Sequence, residues 1–465
     1  MKYYLQSRWK LENDKLVYYG LRNKENLFHN VIKVNNKEIQ IISTLPKELN
    51  ADEEYTLKRL LGVQVVTEEA LRKVPTSLKE ATFCKSCCAN DFIIPGLEFD
   101  KNGLCPMCQT SNDVKNLRSL VPLVKDIPHA KHSRFDVALF YTGGKDSTFL
   151  LYYLAKVKNL RVLALTWEIP WISESAKKSI ENAKKHFSNV EFITRTISKR
   201  DMKTIYKKLY SLNENTCACP SLAYVLFYPE MVANRIPYFV AGNEPVQILG
   251  LYYNHMAPRI AYSFSNNKFL QVLIGIGRVL TLHPPLRKGQ LHTLTTMKQL
   301  AYGDNPIKNL FGYSNELVSN VVKAIYEVPE ILPPFKRAIR ASSWSGNIPA
   351  FIHFDLDEIC DGKYDWKKVK ETIKKECGWV SPEDEGKGLH TSCSIEKCKE
   401  YSQFNRFYYC RSKMIPFSAL EISLASLNKN LSRDAAIYEM ENMLGFSLKP
   451  IPECELMTNV LRDEK

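Results

Sequence analysis

The sequence predicts an α/β protein: a parallel sheet, preceded by a small α+β module and a cysteine-rich segment, and followed by a helix-leaning C-terminal region. Three observations carry that expectation. From Arg134 onward, apolar runs alternate with helix-like stretches ("DVALFY", "RVLALTWE", "SESAKKSIENAKKHF", "VEFITRTI", "IPYFVAGNEP"), which is the rhythm of βαβ units. One strand-to-helix junction, residues 141–148, reads "YTGGKDST". Upstream, between Phe83 and Thr110, lie two Cys-x-x-Cys pairs.

Taken in order, residues 1–80 read as short strands in "KLVYYGL", "NLFHNVIKV" and "KEIQIIST", then as helix with leucines at helical spacing. This pattern is similar to winged-helix peptide-recognition modules; a packing extension of the next domain is the competing reading. The expected domains are 1–80, a zinc ribbon with linker at 81–132, the α/β domain at 133–345 and a mainly helical region at 346–465.

Composition bounds the class. The chain has 465 residues, too many for one ordinary core. No run of about 18 apolar residues suggests a membrane span; "FLQVLIGIGRVLTL" is short and broken by Arg278. The charged N-terminus lacks a signal core, so a cytoplasmic location is expected. A net charge of +14 suits acidic or phosphorylated partners or simply a lysine-rich surface. In a reducing compartment, 13 cysteines point to metal binding or catalysis rather than to disulfides.

Cys84, Cys87, Cys105 and Cys108 have the spacing of a four-thiolate Zn2+ ribbon, each pair forming a knuckle with two tetrahedral ligands. Four thiolates leave no open position, so the expected role is structural. Cys88 is spare, either a buried thiol or an alternative ligand.

At "TGGKDS", Gly143 and Gly144 allow a tight turn and close approach of phosphate, Lys145 supplies a cation, and Ser147 is placed to cap the following helix. The spacing is not that of a Walker A loop. It resembles the PP-loop of the ATP pyrophosphatases (adenine nucleotide alpha-hydrolase-like), with Thr142 in place of the usual serine. That resemblance implies a Rossmann-like sheet, ATP with Mg2+, and pyrophosphate held by Thr142, Gly143, Gly144, Lys145, Asp146 and Ser147. It also puts Trp167 with Glu168 near the adenine, and Gly242, Asn243 and Glu244 at the closing edge of the site.

The zinc-ribbon-like segment and the stretches "CGWVSPEDEGKGLHTSCSIEKC" and "NLSRDAAIYEMENMLGF" resemble the N-acetyl sugar amidotransferases. In function the chain looks like the thioamide synthetases of natural-product pathways (closthioamide type). Cys217 and Cys219 lie ahead of an apolar helix, where thiolates are stabilised and nucleophilic. In the thiolating relatives, cysteines in this region carry a persulfide or an iron–sulfur cluster, and Cys393, Cys398 or Cys410 would complete a three-cysteine set. Cys360, Cys377 and Cys454 are isolated and expected to be structural. Asp355, Asp357, Glu358 and Asp361 fail the calcium-loop pattern at Ile359 and read as a solvated acidic face, with a contribution to a Mg2+ or substrate site as the alternative.

The resemblance thus implies adenylation of an amide oxygen and its replacement by sulfur, giving a thioamide on a small or carrier-protein-bound intermediate. Cys217, Cys219, Lys145 and Asp146 would carry the chemistry, with a sulfur-donor protein as a partner. The alternatives are amidination of an N-acetyl sugar with ammonia from a partner glutaminase, thiolation of tRNA, and a non-enzymatic nucleotide- or zinc-dependent scaffold. No arginine-rich arm stands out, which counts against nucleic acid. Oligomerisation stays open.

Overall fold

The computed structural model describes residues 2–69, 71–111, 123–212, 218–254, 268–287, 289–303, 305, 316–385 and 392–451. The chain divides into two compact units. One comprises Met1–Val114 with Glu400–Pro450, the other Lys115–Lys399 with Ile451–Lys465.

The second unit is built on a five-stranded sheet. Its strands are β1 (Val137–Phe140), β2 (Val162–Glu168), β3 (Val190–Thr196), β4 (Tyr238–Ala241) and β5 (Ala350–Phe351). They lie in the order β3-β2-β1-β4-β5, and every neighbouring pair is parallel. A parallel sheet is covered on both faces, which explains why β1 and nearly all of β2 are apolar and buried rather than alternating. Helices α1 (Lys145–Tyr152), α2 (Glu174–His186), α3 (Lys199–Leu212), α4 (Cys219–Ala233), α5 (Pro245–Tyr253), α6 (Gln290–Tyr302), α7 (Leu332–Ser345) and α8 (Trp366–Cys377) complete the parts that matter below. Serine 173 starts α2 by accepting the Ala176 N–H at 3.3 Å, and Lys184, Lys185 and His186 sit favourably in its last turn.

The order reverses between β1 and β4, because the chain winds outward one way to β3 and then returns to the other side of β1. In such sheets the connections leave a crevice at that point, outside the carboxyl ends of the two strands. The "TGGKDS" turn follows β1 and the "GNE" turn follows β4, so both face this crevice.

The first unit joins two segments that are distant in sequence. Trp9, Leu16, Tyr18, Val34, Ile42, Leu57 and Leu60 form a core for residues up to Val66. Arg8 donates to the carbonyls of Tyr408 (2.5 Å) and Phe407 (2.7 Å), which end the helix Glu396–Tyr408, where a cation is favoured. The stretch "KEIQIIST" departs from its expected strand: it forms a helix, Asn36–Ile42. Asn35 accepts the Glu38 N–H at 3.0 Å and Glu38 accepts the Asn35 N–H at 2.8 Å. This reciprocal cap outweighs the β preference of three isoleucines.

The apolar run around Arg278 is a short helix, Lys268–Leu280. Among the described residues no helix is long and apolar enough to cross a membrane.

Candidate active site and metal centre

The glycine loop takes its shape from its neighbours. Gly143 has φ 73°, a conformation that costs an ordinary residue about 1–2 kcal/mol. A Cβ there would also lie 2.6 Å from the Ala176 carbonyl oxygen of α2. The indole of Trp379 donates to the Gly143 carbonyl at 3.1 Å and fixes the turn from the far side. Gly144 is the N-cap of α1, so the helix begins at Lys145 rather than at Ser147. Serine 147 is therefore not the cap. Buried in the first turn, it donates to the Gly144 carbonyl at 3.1 Å and lies 3.3 Å from the Thr142 hydroxyl. The first N–H groups of α1 have no acceptor in a preceding turn, so the loop presents donors and the positive helix end to an anion.

Gly242 closes the crevice from β4. A Cβ on it would lie 2.6 Å from the Ser147 nitrogen and 2.7 Å from its Cα. Only a bare glycine lets the β4 turn come this close to the loop.

Lys145 is enclosed. Its ammonium pairs with Asp146 and, at 3.2 Å, with the fully buried Glu244. It also sits 4.8 Å from the ring centre of Tyr364 and 4.7 Å from that of Trp366, within cation–π range. Burial opposes the charge, but the two carboxylates outweigh it and the lysine pKa is raised. The Tyr364 hydroxyl donates to Asp146 Oδ1 at 2.8 Å, and the Trp366 indole donates to Glu244 Oε2 at 2.5 Å. Asp357 accepts the Tyr364 N–H at 2.7 Å, and Asp355 caps the short helix Leu356–Ile359. The acidic stretch thus shapes the approach to the cage.

Trp167 is buried near the carboxyl end of β2, and its indole nitrogen makes no hydrogen bond among the described residues. A buried donor of this kind at the ligand edge suits a nucleotide base. The loop, the glycine closure and this donor fit a bound nucleoside triphosphate. Asp146 Oδ1 accepts from Lys145 and Tyr364, so only its Oδ2 could meet Mg2+.

Cys219 is the first residue of α4. Because α4 precedes β4 and runs back along the sheet, its N-terminus lies at the same edge as the glycine loop. Tyr224, in the next turn, packs 5.3 Å from Phe140 at the end of β1. The Cys219 sulfur is 3.6 Å from the Tyr206 hydroxyl, and the Cys398 sulfur is 3.9 Å from the Tyr210 hydroxyl, one turn further along α3. Cys393 pairs as a β-bridge with Ile172 and lies 3.3 Å from the Lys399 ammonium. Cys217 lies outside the described residues. Cys410 belongs to the first unit.

In that first unit the sulfurs of Cys84, Cys87, Cys105 and Cys108 all lie within 4.8 Å of one another, and among the described residues no other group could hold a metal ion with three or more such ligands. The Cys84–Cys108 and Cys87–Cys105 separations are both 3.6 Å. A tetrahedral ion with bonds of about 2.3 Å needs edges of about 3.8 Å, so one ion fits. Backbone N–H groups of Cys105 (3.3 Å) and Ser86 (3.5 Å) point at the Cys84 sulfur, and that of Ala89 (3.4 Å) at Cys87. Such donors favour thiolates. Cys88 is the buried thiol of the two readings: it donates to the Ile422 carbonyl at 3.5 Å, and burial pushes its pKa up to about 12.

Sequence reasoning missed Tyr364, Trp366 and Trp379. The aromatics in "KYDW" and "CGWV" were their only signal, and nothing local ties them to a loop more than 200 positions earlier.

No family model matches the chain, and no curated protein matches it. Among solved structures, the U34-tRNA thiolase NcsA from Methanococcus maripaludis with its [4Fe-4S] cluster aligns over 57% of this chain and 86% of its own, at 16% identity and a TM-score of 0.22. A likeness that slight carries no argument.

Proposed function

We propose that this chain is a PP-loop enzyme that uses ATP to adenylate an amide oxygen and replaces that oxygen with sulfur, forming a thioamide on a small or carrier-bound substrate. The observation that carries the reading is the glycine loop at the reversal of strand order, with Cys219 heading a helix on the same edge of the sheet. The loop N–H groups would hold the pyrophosphate, and Gly242 would admit it. Mg2+ on Asp146 would supply charge neutralisation as the pyrophosphate leaves.

The chemistry balances with a persulfide-donating partner. The amide oxygen bonds to the α-phosphorus as pyrophosphate departs. The terminal sulfur of a Cys219 persulfide then adds to the carbon, and AMP leaves with the oxygen. A second thiol, Cys217 in this reading, breaks the sulfur–sulfur bond, so the thioamide is released and a Cys217–Cys219 disulfide remains for external reduction. In the four-cysteine centre we propose a structural zinc ion, supported by the short sulfur–sulfur separations.

Cys219→Ser is expected to abolish thio-product while pyrophosphate still forms with the amide substrate. Mass spectrometry reads the exchange, since sulfur for oxygen raises the product mass and NH for oxygen lowers it slightly. An NH product, or thio-product undiminished in Cys219→Ser, would refute the sulfur route. Gly242→Ala tests the loop itself. The added methyl displaces Ser147 and the first turn of α1, and AMP formation is expected to fall by about 100-fold, with an overpacking cost of about 1–3 kcal/mol. Unchanged turnover would place the chemistry elsewhere.

A further inference from the structure

A second cavity lies in the same unit, between α6 and α7. It measures about 470 Å³ and is lined by His283, Lys298, Tyr302, Lys336, Arg340 and Trp344, together with two uncharged residues; among the described residues none of the lining is acidic. It is separate from the glycine loop. Helix α7 ends at Ser345 and leads into the beginning of β5, so Trp344 stands near the opposite edge of the sheet from the crevice.

Its chemistry is doubly selective. Lys336 and Arg340 are one turn apart on α7 and share a face. The Lys336 ammonium lies over the rings of Tyr302 (5.8 Å) and Tyr326 (5.3 Å), which holds its position. Lys298 has its pKa lowered by burial and by the nearby charge of Arg278. Arg278 itself is occupied by the carbonyls of Pro284 and Ser343. Three cationic side chains therefore line the space, which gives it a charge complementary to an anion. Beside them, the His283 and Trp344 rings lie with centres 4.6 Å apart at a tilt of 34°, yet Trp344 remains 59% exposed. An open indole face takes a planar ring, and every nucleobase offers one. Cations alone would accept any anion and an indole alone any ring. Both in a cavity of this size select a ligand that is anionic at one end and planar at the other.

We propose that this cavity is a second nucleotide site, binding the base of a mononucleotide on Trp344 and its phosphate among Lys298, Lys336 and Arg340. Calorimetric titration of the full chain with AMP tests it. Wild type is expected to show two classes of site, and Lys336→Ala/Arg340→Ala to lose one of them or weaken it at least tenfold. Trp344→Ala is expected to weaken the same site, and Trp344→Phe to retain it, which separates stacking from a folding defect. Should the double variant misfold, Arg340→Gln alone is expected to give a similar loss. Adenosine and inorganic phosphate are each expected to bind at least tenfold more weakly than AMP. A single wild-type site lost in these variants would support the cavity and count against the loop. Three results would overturn the proposal: AMP binding indifferent to all these changes, phosphate binding as tightly as AMP, or a 5′-phosphorylated RNA trinucleotide binding at least tenfold tighter than AMP.

Discussion

Cys87→Ser is expected to strip the metal from the first unit and unfold the cysteine-rich segment, while Cys88→Ser next to it leaves the metal in place. Structural zinc sites contribute roughly 10–16 kcal/mol of apparent binding free energy, which is folding free energy where the site forms only in the folded chain. That is comparable to or larger than the whole of the roughly 5–15 kcal/mol by which domains are ordinarily stable. Cys87 is fully buried, with the Ala89 N–H on its sulfur and Arg433 donating to its carbonyl at 3.4 Å. Serine offers a harder, more basic oxygen in a space shaped for sulfur. Metal analysis is expected to fall from one zinc per chain to below about a tenth, with new proteolysis between residues 83 and 110. Cys88→Ser removes only a weak thiol bond to Ile422, at a cost of about 1 kcal/mol. Equal zinc content in wild type and Cys87→Ser would sink the four-thiolate assignment. Iron with acid-labile sulfide in place of zinc would overturn the choice of metal while leaving the ligands intact.

What was legible in the sequence was local. Strands β1 and β2 declare themselves as nearly continuous apolar runs, because burial on both faces leaves little polar alternation to hide them. The edge strand β3 is only half-buried and interleaves Glu191, Thr194 and Arg195 with its apolar residues. The four clustered cysteines and the loop residues are each set by spacing within a few positions. Where the reading failed, a competing local term decided. The Asn35–Glu38 cap turned an isoleucine-rich run into helix, and Gly144 took the cap position expected of Ser147. Strand β5, two residues long, carried too little pattern to be seen. The aromatic cage was invisible for a different reason. Tyr364 and Trp366 find Lys145 only through the tertiary fold, and a tyrosine or tryptophan at a helix start looks like ordinary core.

That cage yields the second large effect, at Glu244. Glu244→Ala leaves the Lys145 ammonium with one carboxylate instead of two and the Trp366 indole without its acceptor, both in buried surroundings. Breaking a buried pair from one side costs about 3–5 kcal/mol, since the remaining charge cannot recover its hydration. Glu244→Gln separates the contributions: its amide oxygen can still accept from Trp366, so only the charge is lost, and a smaller cost of about 1–3 kcal/mol is expected. Chemical denaturation of the three proteins reads this order. AMP formation is expected to fall in both variants, because the cage holds the side chain that directly follows the loop glycines. A double-mutant cycle of Glu244→Gln with Lys145→Met should give a coupling of at least about 1 kcal/mol. High salt should leave it nearly unchanged, since ions cannot enter to screen a buried pair. Coupling near zero would mean that Asp146 alone balances Lys145. The burial of Glu244 would then serve the Trp366 hydrogen bond, and Glu244→Gln would be nearly as stable and as active as the wild type.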